Sequence, residues 1–230
     1  MTEKNTHSFR TVTRPRALGY LKGGKLNEAS SRCGANVVEE WVNVDYSLGA
    51  RLAKIPGFRH VNRRLRLFDL DWDPRIFLHD LRKPFPWSDG TADSIYCSHT
   101  LEHFSRTEGE TLLGECFRIL RGGGVIRIVV PDLLWIVREY LDGHLPAERF
   151  VEKLGVLYGE GLSGIKRRLA PFISFPHKCM YDLKSLLSAL DEAGFQAEEK
   201  APFASRIPEI EQIEQEGRTD KAVIVEGVKP

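Results

Sequence analysis

Short apolar runs alternate with amphipathic stretches along most of this chain, most clearly between Ala92 and Asp132. Ile95, Tyr96 and Cys97 form an apolar run that ends on the polar pair Ser98-His99. Ser105-Arg106-Thr107-Glu108 has the form of a capping box, which predicts a helix starting near Arg106. Leu112, Leu113, Cys116, Phe117 and Leu120 then recur at helical spacing, so one face can pack on a sheet. Gly122, Gly123 and Gly124 are expected to end that helix, because glycine tolerates the left-handed conformation that closes helices. Val125, Ile126, Ile128, Val129 and Val130 follow with only Arg127 interrupting, the pattern of a strand covered on both faces. The whole reads as a β-α-β unit with parallel strands and polar residues at the strand ends.

The same reading extends in both directions. Residues 1–24 are polar and basic, and are expected to form a loosely docked, partly disordered arm. Residues 25–230 are expected to form a single domain. Lys25-Leu26-Asn27 is a first candidate strand, Trp41 to Asp45 a second and Ile76 to Asp80 a third, the last two finishing on an acid. Arg51 to Asp73, with Pro56-Gly57 and a basic run, reads as an irregular insertion with one helix. Leu133 to Leu141 and Pro146 to Tyr158 are helical patterns, placing a lobe at about 133–176 over the strand ends. Asp182 opens a helix that carries Leu183, Leu186, Leu187 and Leu190 and stops at Gly194. Gln196 to Lys200 and Ala222 to Val228 close the chain as an antiparallel strand pair.

Composition narrows the partners. With 33 Lys and Arg against 32 Asp and Glu in 230 residues, bulk nucleic-acid binding is not expected. No apolar stretch approaches bilayer length and no signal segment opens the sequence, so no membrane span is expected. Cys33, Cys97, Cys116 and Cys179 are widely spaced and carry no paired metal motif, which suits reduced thiols and a cytoplasmic location. Oligomeric state is not legible.

Strands alternating with helices give an open α/β sheet, in which ligands sit outside the carboxyl ends of the strands. Asp45, Asp80 and Ser98-His99 fall at three successive ends. Any one of them alone reads better as a solvated acid or a helix cap; the series favours a site. An acid after the second strand is a common acceptor for the ribose hydroxyls of a nucleotide-like cofactor.

The ordered segments KLN, WVNVDYS, HDLRKPFPWSDGTADSIYCSHTLEH, ECFRILRGGGVIRIVVPDL, HKCMYDLKSLLSALDEAGF and VIVEGVKP resemble the class I S-adenosylmethionine-dependent methyltransferases, specifically the type 11-like predicted methyltransferases. The resemblance implies a Rossmann-like α/β fold with a seven-stranded, mostly parallel sheet and an antiparallel last strand. It implies S-adenosyl-L-methionine as cofactor and a small-molecule or glycan-type methyl acceptor. Asp45 would hold the ribose, Asp80 and Leu81 would flank the adenine, and Ser98 and His99 would lie beside the methionine end. The family's glycine-rich turn is replaced here by Leu26 to Gly34, where Asn27, Ala29, Ser30 and Gly34 would meet the cofactor. That departure leaves a relative with lost activity as an alternative.

Histidines supply the candidate chemistry. His103, and with it His99, could remove a proton from a hydroxyl or amine acceptor, and His177 and Tyr181 resemble the substrate side of the family. His79 reads as structural, and the basic runs at 60–66 and 166–168 read better as solvated surface than as a phosphate site. His99-Thr100-Leu101-Glu102-His103 also spells H-x-x-E-H, the inverted zincin pattern of a zinc hydrolase. That motif needs a helix through all five residues, whereas the capping box delays the helix to Arg106, so no metal ligation is expected here.

Overall fold

The computed structural model describes residues 8–12, 41–46, 48–65, 73, 75–157 and 176–230. Its platform is a seven-stranded sheet in the order β3-β2-β1-β4-β5-β7-β6. In chain order the strands are β1 (Ser8–Val12), β2 (Trp41–Asp45), β3 (Phe77–Leu78), β4 (Ala92–Ser98), β5 (Leu120–Pro131), β6 (Gln196–Glu199) and β7 (Ala222–Val228). β2 pairs parallel with β3, and β4 with β5. β1 lies antiparallel between β2 and β4, and β7 lies antiparallel between β5 and β6. β2, β3, β4, β5 and β6 therefore run one way, while β1 and β7 run against them.

The helices among the described residues are α1 (Leu48–Ala53), α2 (Phe58–Leu65), α3 (Arg106–Ile119), α4 (Leu133–Leu141), α5 (Ala147–Lys153), α6 (Leu183–Glu192) and α7 (Glu216–Thr219). α3 starts where the capping box places it: Ser105 Oγ accepts from the Glu108 amide and Glu108 Oε2 accepts from the Ser105 amide. Its apolar stripe of Leu112, Leu113, Cys116 and Ile119 is buried with Ile95, Cys97, Ile126 and Ile128 of the sheet. Each such side chain contributes roughly 1.5–3 kcal/mol on leaving water. α6 repeats the device with Asp182 as cap and Ser185 as reciprocal partner.

Four expectations need correction. The three glycines do not end α3, which stops at Ile119 with Leu120 already extended and buried. They lie within the first residues of β5, Gly122 and Gly123 exposed and Gly124 buried, where a Cβ on Gly124 would lie 2.9 Å from the Arg121 carbonyl and 3.1 Å from that of Asp93. The backbone there is too close to its neighbours for any other residue. Residues 8–12 of the supposed arm form β1, well inside the sheet. The third strand is cut to Phe77–Leu78, leaving Asp80 beyond its end, and the insertion holds two short helices broken at Pro56-Gly57. The candidate strand Lys25-Leu26-Asn27 lies outside the described residues. Among those described, no helix is long and apolar enough to cross a membrane.

Arg127, the one polar residue in the apolar run of β5, is fully buried. Its guanidinium holds Glu214 in a two-point pair at 2.8 Å and Glu226, its cross-strand partner on β7, at 3.0 Å. Removing one member of such a cluster strands the others in a dry interior. Arg127→Met should therefore lower stability by about 3–5 kcal/mol in urea unfolding, and a loss under about 1 kcal/mol would contradict this account of the core.

Candidate active site

The carboxyl ends of the central strands form one level row. Asp45 pairs with Leu78, and Ser98 pairs with Val129 on one side and Ser8 on the other. Phe9 faces both Val44 and Cys97, so Asp45 and Ser98, each one residue further on, lie level on either side of β1. Two strand spacings separate them, about 9–10 Å. Asp80 lies beyond β3, where Arg82 grips its carboxylate at 2.7 and 2.9 Å and holds its pKa below the ordinary value. Leu81 beside it packs against the main core. Asn27, Ala29, Ser30 and Gly34 lie outside the described residues.

At the end of β4 the chain turns sharply. His99 donates its amide to the Val129 carbonyl at 2.8 Å, continuing the ladder, but its φ of 47° is left-handed. Such a conformation is costly for a residue with a side chain and is held by its surroundings. His99 Nε2 meets the Arg218 carbonyl at 2.8 Å, and Thr100 Oγ1 donates to the Ser98 carbonyl at 3.0 Å. A single 3-10 turn, Leu101–His103, follows, so no helix runs through all five residues of HTLEH. The helical geometry of an inverted zincin is not formed.

The turn sends Glu102 inward, to 0% exposure. Around its Oε1 stand His99 Nδ1 at 3.5 Å, His103 Nε2 at 3.8 Å and His177 Nε2 at 3.9 Å. Burial pushes the Glu102 carboxyl up, but the three histidines outweigh it and hold its pKa below the ordinary carboxylate value. Burial pushes His103 down to about 4, against the pull of the Glu102 carboxylate. An ionised Glu102 thus faces a neutral His103.

The structure brings the sequence candidates together unevenly. His99, His103 and His177 converge, but on Glu102, a residue the sequence offered only within the zincin pattern. Both expected substrate contacts are inside the protein: His177 is buried against Glu102, and Tyr181 belongs to the main core, where burial raises its phenol pKa. His103 has Nδ1 on the Pro176 carbonyl at 3.3 Å and Nε2 on Glu102, so both nitrogens are turned to protein. Arg218, which backs His99 and reaches the Ser98 carbonyl at 3.4 Å, gave no signal in the sequence because its partners are distant along the chain.

Residues 22–128 match the family described as "Methyltransferase domain", and that span includes Asp45, Asp80, Leu81, Ser98, His99 and His103. The match covers a little under half of the chain. No curated protein matches the sequence. Among solved structures, the chain is similar to a methyltransferase in complex with the Trm112 activator of Haloferax volcanii, at 15% identity over 81% of each chain and a TM-score of 0.40. A SAM-dependent methyltransferase of Thermotoga maritima gives 17% identity, 81% of each chain and a TM-score of 0.39. Human N-acetylserotonin methyltransferase, solved with SAM, gives 14%, 76% of this chain, 39% of that chain and 0.36. These superpositions are too loose to carry any residue role to this chain.

The unfolded chain takes up a proton at His103 near the ordinary 6.5, whereas the folded protein refuses it until about 4. In that window the unfolded state binds more protons. The contribution is whole above pH 6.5 and is lost as the pH falls towards 4, by at most about 1.4 kcal/mol per pH unit. Urea midpoints at about pH 7, 6 and 5 in chelator-containing buffer should show this decline, and His103→Gln should flatten it; an unchanged slope in the variant would assign the acid sensitivity elsewhere.

Proposed function

We propose that this protein transfers a methyl group from S-adenosylmethionine to a small-molecule or glycan-type acceptor at the carboxyl ends of β2, β3 and β4. The observation that carries the reading is the level row of Asp45 and Ser98 within the stretch that matches the methyltransferase domain. A half-buried acid at the end of β2 fits a ribose diol, and the spacing of about 9–10 Å from Asp45 to Ser98, across β1, is comparable with the span from ribose to sulfonium. Asp80 and Leu81 would flank the adenine, with the Asp80 carboxylate kept in place by Arg82. We read the sheet as the Rossmann-like class I arrangement, and the near balance of charge suits a small acceptor in the cytoplasm better than a nucleic acid.

The bound donor supplies an electrophilic methyl group on a sulfonium. The chain's residues have to align an acceptor with it and exclude water, and no obligatory side-chain step is required. His99, at the strand end, is the residue we place nearest the transfer, as a proton acceptor for a hydroxyl or amine. His103, with both nitrogens turned inward, we assign to the wall behind it rather than to proton transfer.

Calorimetric titration of the full chain with S-adenosylhomocysteine tests the reading. Wild type should bind saturably, and Asp45→Ala should weaken binding by about tenfold to a hundredfold, the worth of a hydrogen bond to a charged group. Equal affinity in the variant would remove Asp45 from the site, and absence of binding by wild type would overturn the proposal.

A further inference from the structure

Glu102, His103 and His177 offer three ligand atoms that lie within 4.8 Å of one another in a buried place. Oε1 of Glu102 stands 3.8 Å from His103 Nε2 and 3.9 Å from His177 Nε2. The far nitrogen of each ring, Nδ1, meets a backbone carbonyl: Pro176 at 3.3 Å for His103 and Leu154 at 2.8 Å for His177. A carbonyl can only accept, so Nδ1 of each ring carries a proton, and a ring without a second proton presents the Nε2 lone pair. Two imidazole nitrogens and a carboxylate oxygen thus face one another in a buried place, the donor set of a cation site.

We propose that Glu102, His103 and His177 bind one divalent ion of the zinc class. Two imidazoles and one carboxylate suit a borderline first-row metal, whereas calcium and magnesium take oxygen ligands. Bonds of roughly 2.0–2.1 Å in a tetrahedron place ligand atoms roughly 3.3–3.4 Å apart. The observed 3.8 and 3.9 Å need a contraction of about half an ångström, and the two histidine nitrogens, within 4.8 Å of each other, one of at most about 1.4 Å, reached by side-chain rotation. A backbone carbonyl on the far nitrogen is also the usual means of fixing the tautomer and orientation of a metal-binding histidine.

The surrounding chain holds the ligands in place. Gly155 has a φ of +68°, and a Cβ there would lie 2.7 Å from the His177 ring, so glycine lets the backbone close over it. The His177 amide donates to the Gly155 carbonyl at 2.9 Å, and the Glu102 carbonyl accepts from Lys178 and Cys179 at 2.8 and 3.1 Å. An ion there would pin the chain at 154–155 and 176–179 to the end of β4. His99 Nδ1 stands 3.5 Å from the same Oε1. Three protein ligands leave a fourth position on the metal. The inference rests on this geometry and is independent of the methyl donor.

Full-length protein stripped with EDTA and titrated with Zn2+ alone should bind one ion per chain, and Co2+ in its place should give the visible absorption of a low-coordinate site. His177→Gln and Glu102→Gln should each weaken Zn2+ binding by about tenfold or more, whereas His144→Gln, an exposed histidine elsewhere, should leave it unchanged. Should Glu102→Gln fail to fold, the wild-type Co2+ spectrum and His177→Gln still decide. Absence of stoichiometric Zn2+ binding by wild type whose circular dichroism shows it folded would overturn the proposal. So would unchanged affinity in folded His177→Gln, or loss in His144→Gln.

Discussion

A carboxylate with no access to water constrains everything near the end of β4. A carboxylate in the interior needs compensation to be ionised, and Glu102 is surrounded there by three imidazoles from different parts of the chain. Its backbone carbonyl adds two bonds from Lys178 and Cys179. Side chain and main chain together therefore fasten 176–179 against the turn that leaves the sheet. The left-handed His99, the single 3-10 turn and the capping box at Ser105 form one compact exit from strand to helix, and each constrains where Glu102 points.

The other buried charge cluster works on the sheet itself. Arg127 joins β5 to Glu226 of β7 and to Glu214 in the connection that precedes it, so the antiparallel end of the sheet is tied by charge as well as by the ladder. Such a rigid platform allows a site built on strand ends to hold its geometry. Asp45 and Ser98 are positioned by register, not by contact with each other, and register is set by strands whose one-residue slip would turn buried side chains out.

Local signals were legible. Both capping boxes, at Ser105 and Asp182, depend on residues three apart, and β5 shows its double burial in an unbroken apolar run. The glycines of 122–124 were misread because glycine serves both to close helices and to admit a close backbone approach, and only the position of Asp93 distinguishes them. β1 was hidden because five residues of a polar arm become a strand only through partners far along the chain. For the site, HTLEH was visible as a pattern, but the meaning of Glu102 depended on His177, which only the tertiary fold brings to it. Burial of Tyr181 and His177 followed from the same closure.

The central claim is that a methyl donor lies across the carboxyl ends of β2, β3 and β4. Hydrogen–deuterium exchange of the full chain with and without S-adenosylhomocysteine tests it most directly. The account predicts slower exchange in peptides covering 41–46, 77–82 and 96–103, with the 196–200 and 222–228 strand pair unchanged. Protection confined to other segments, or none at saturating ligand, would contradict it.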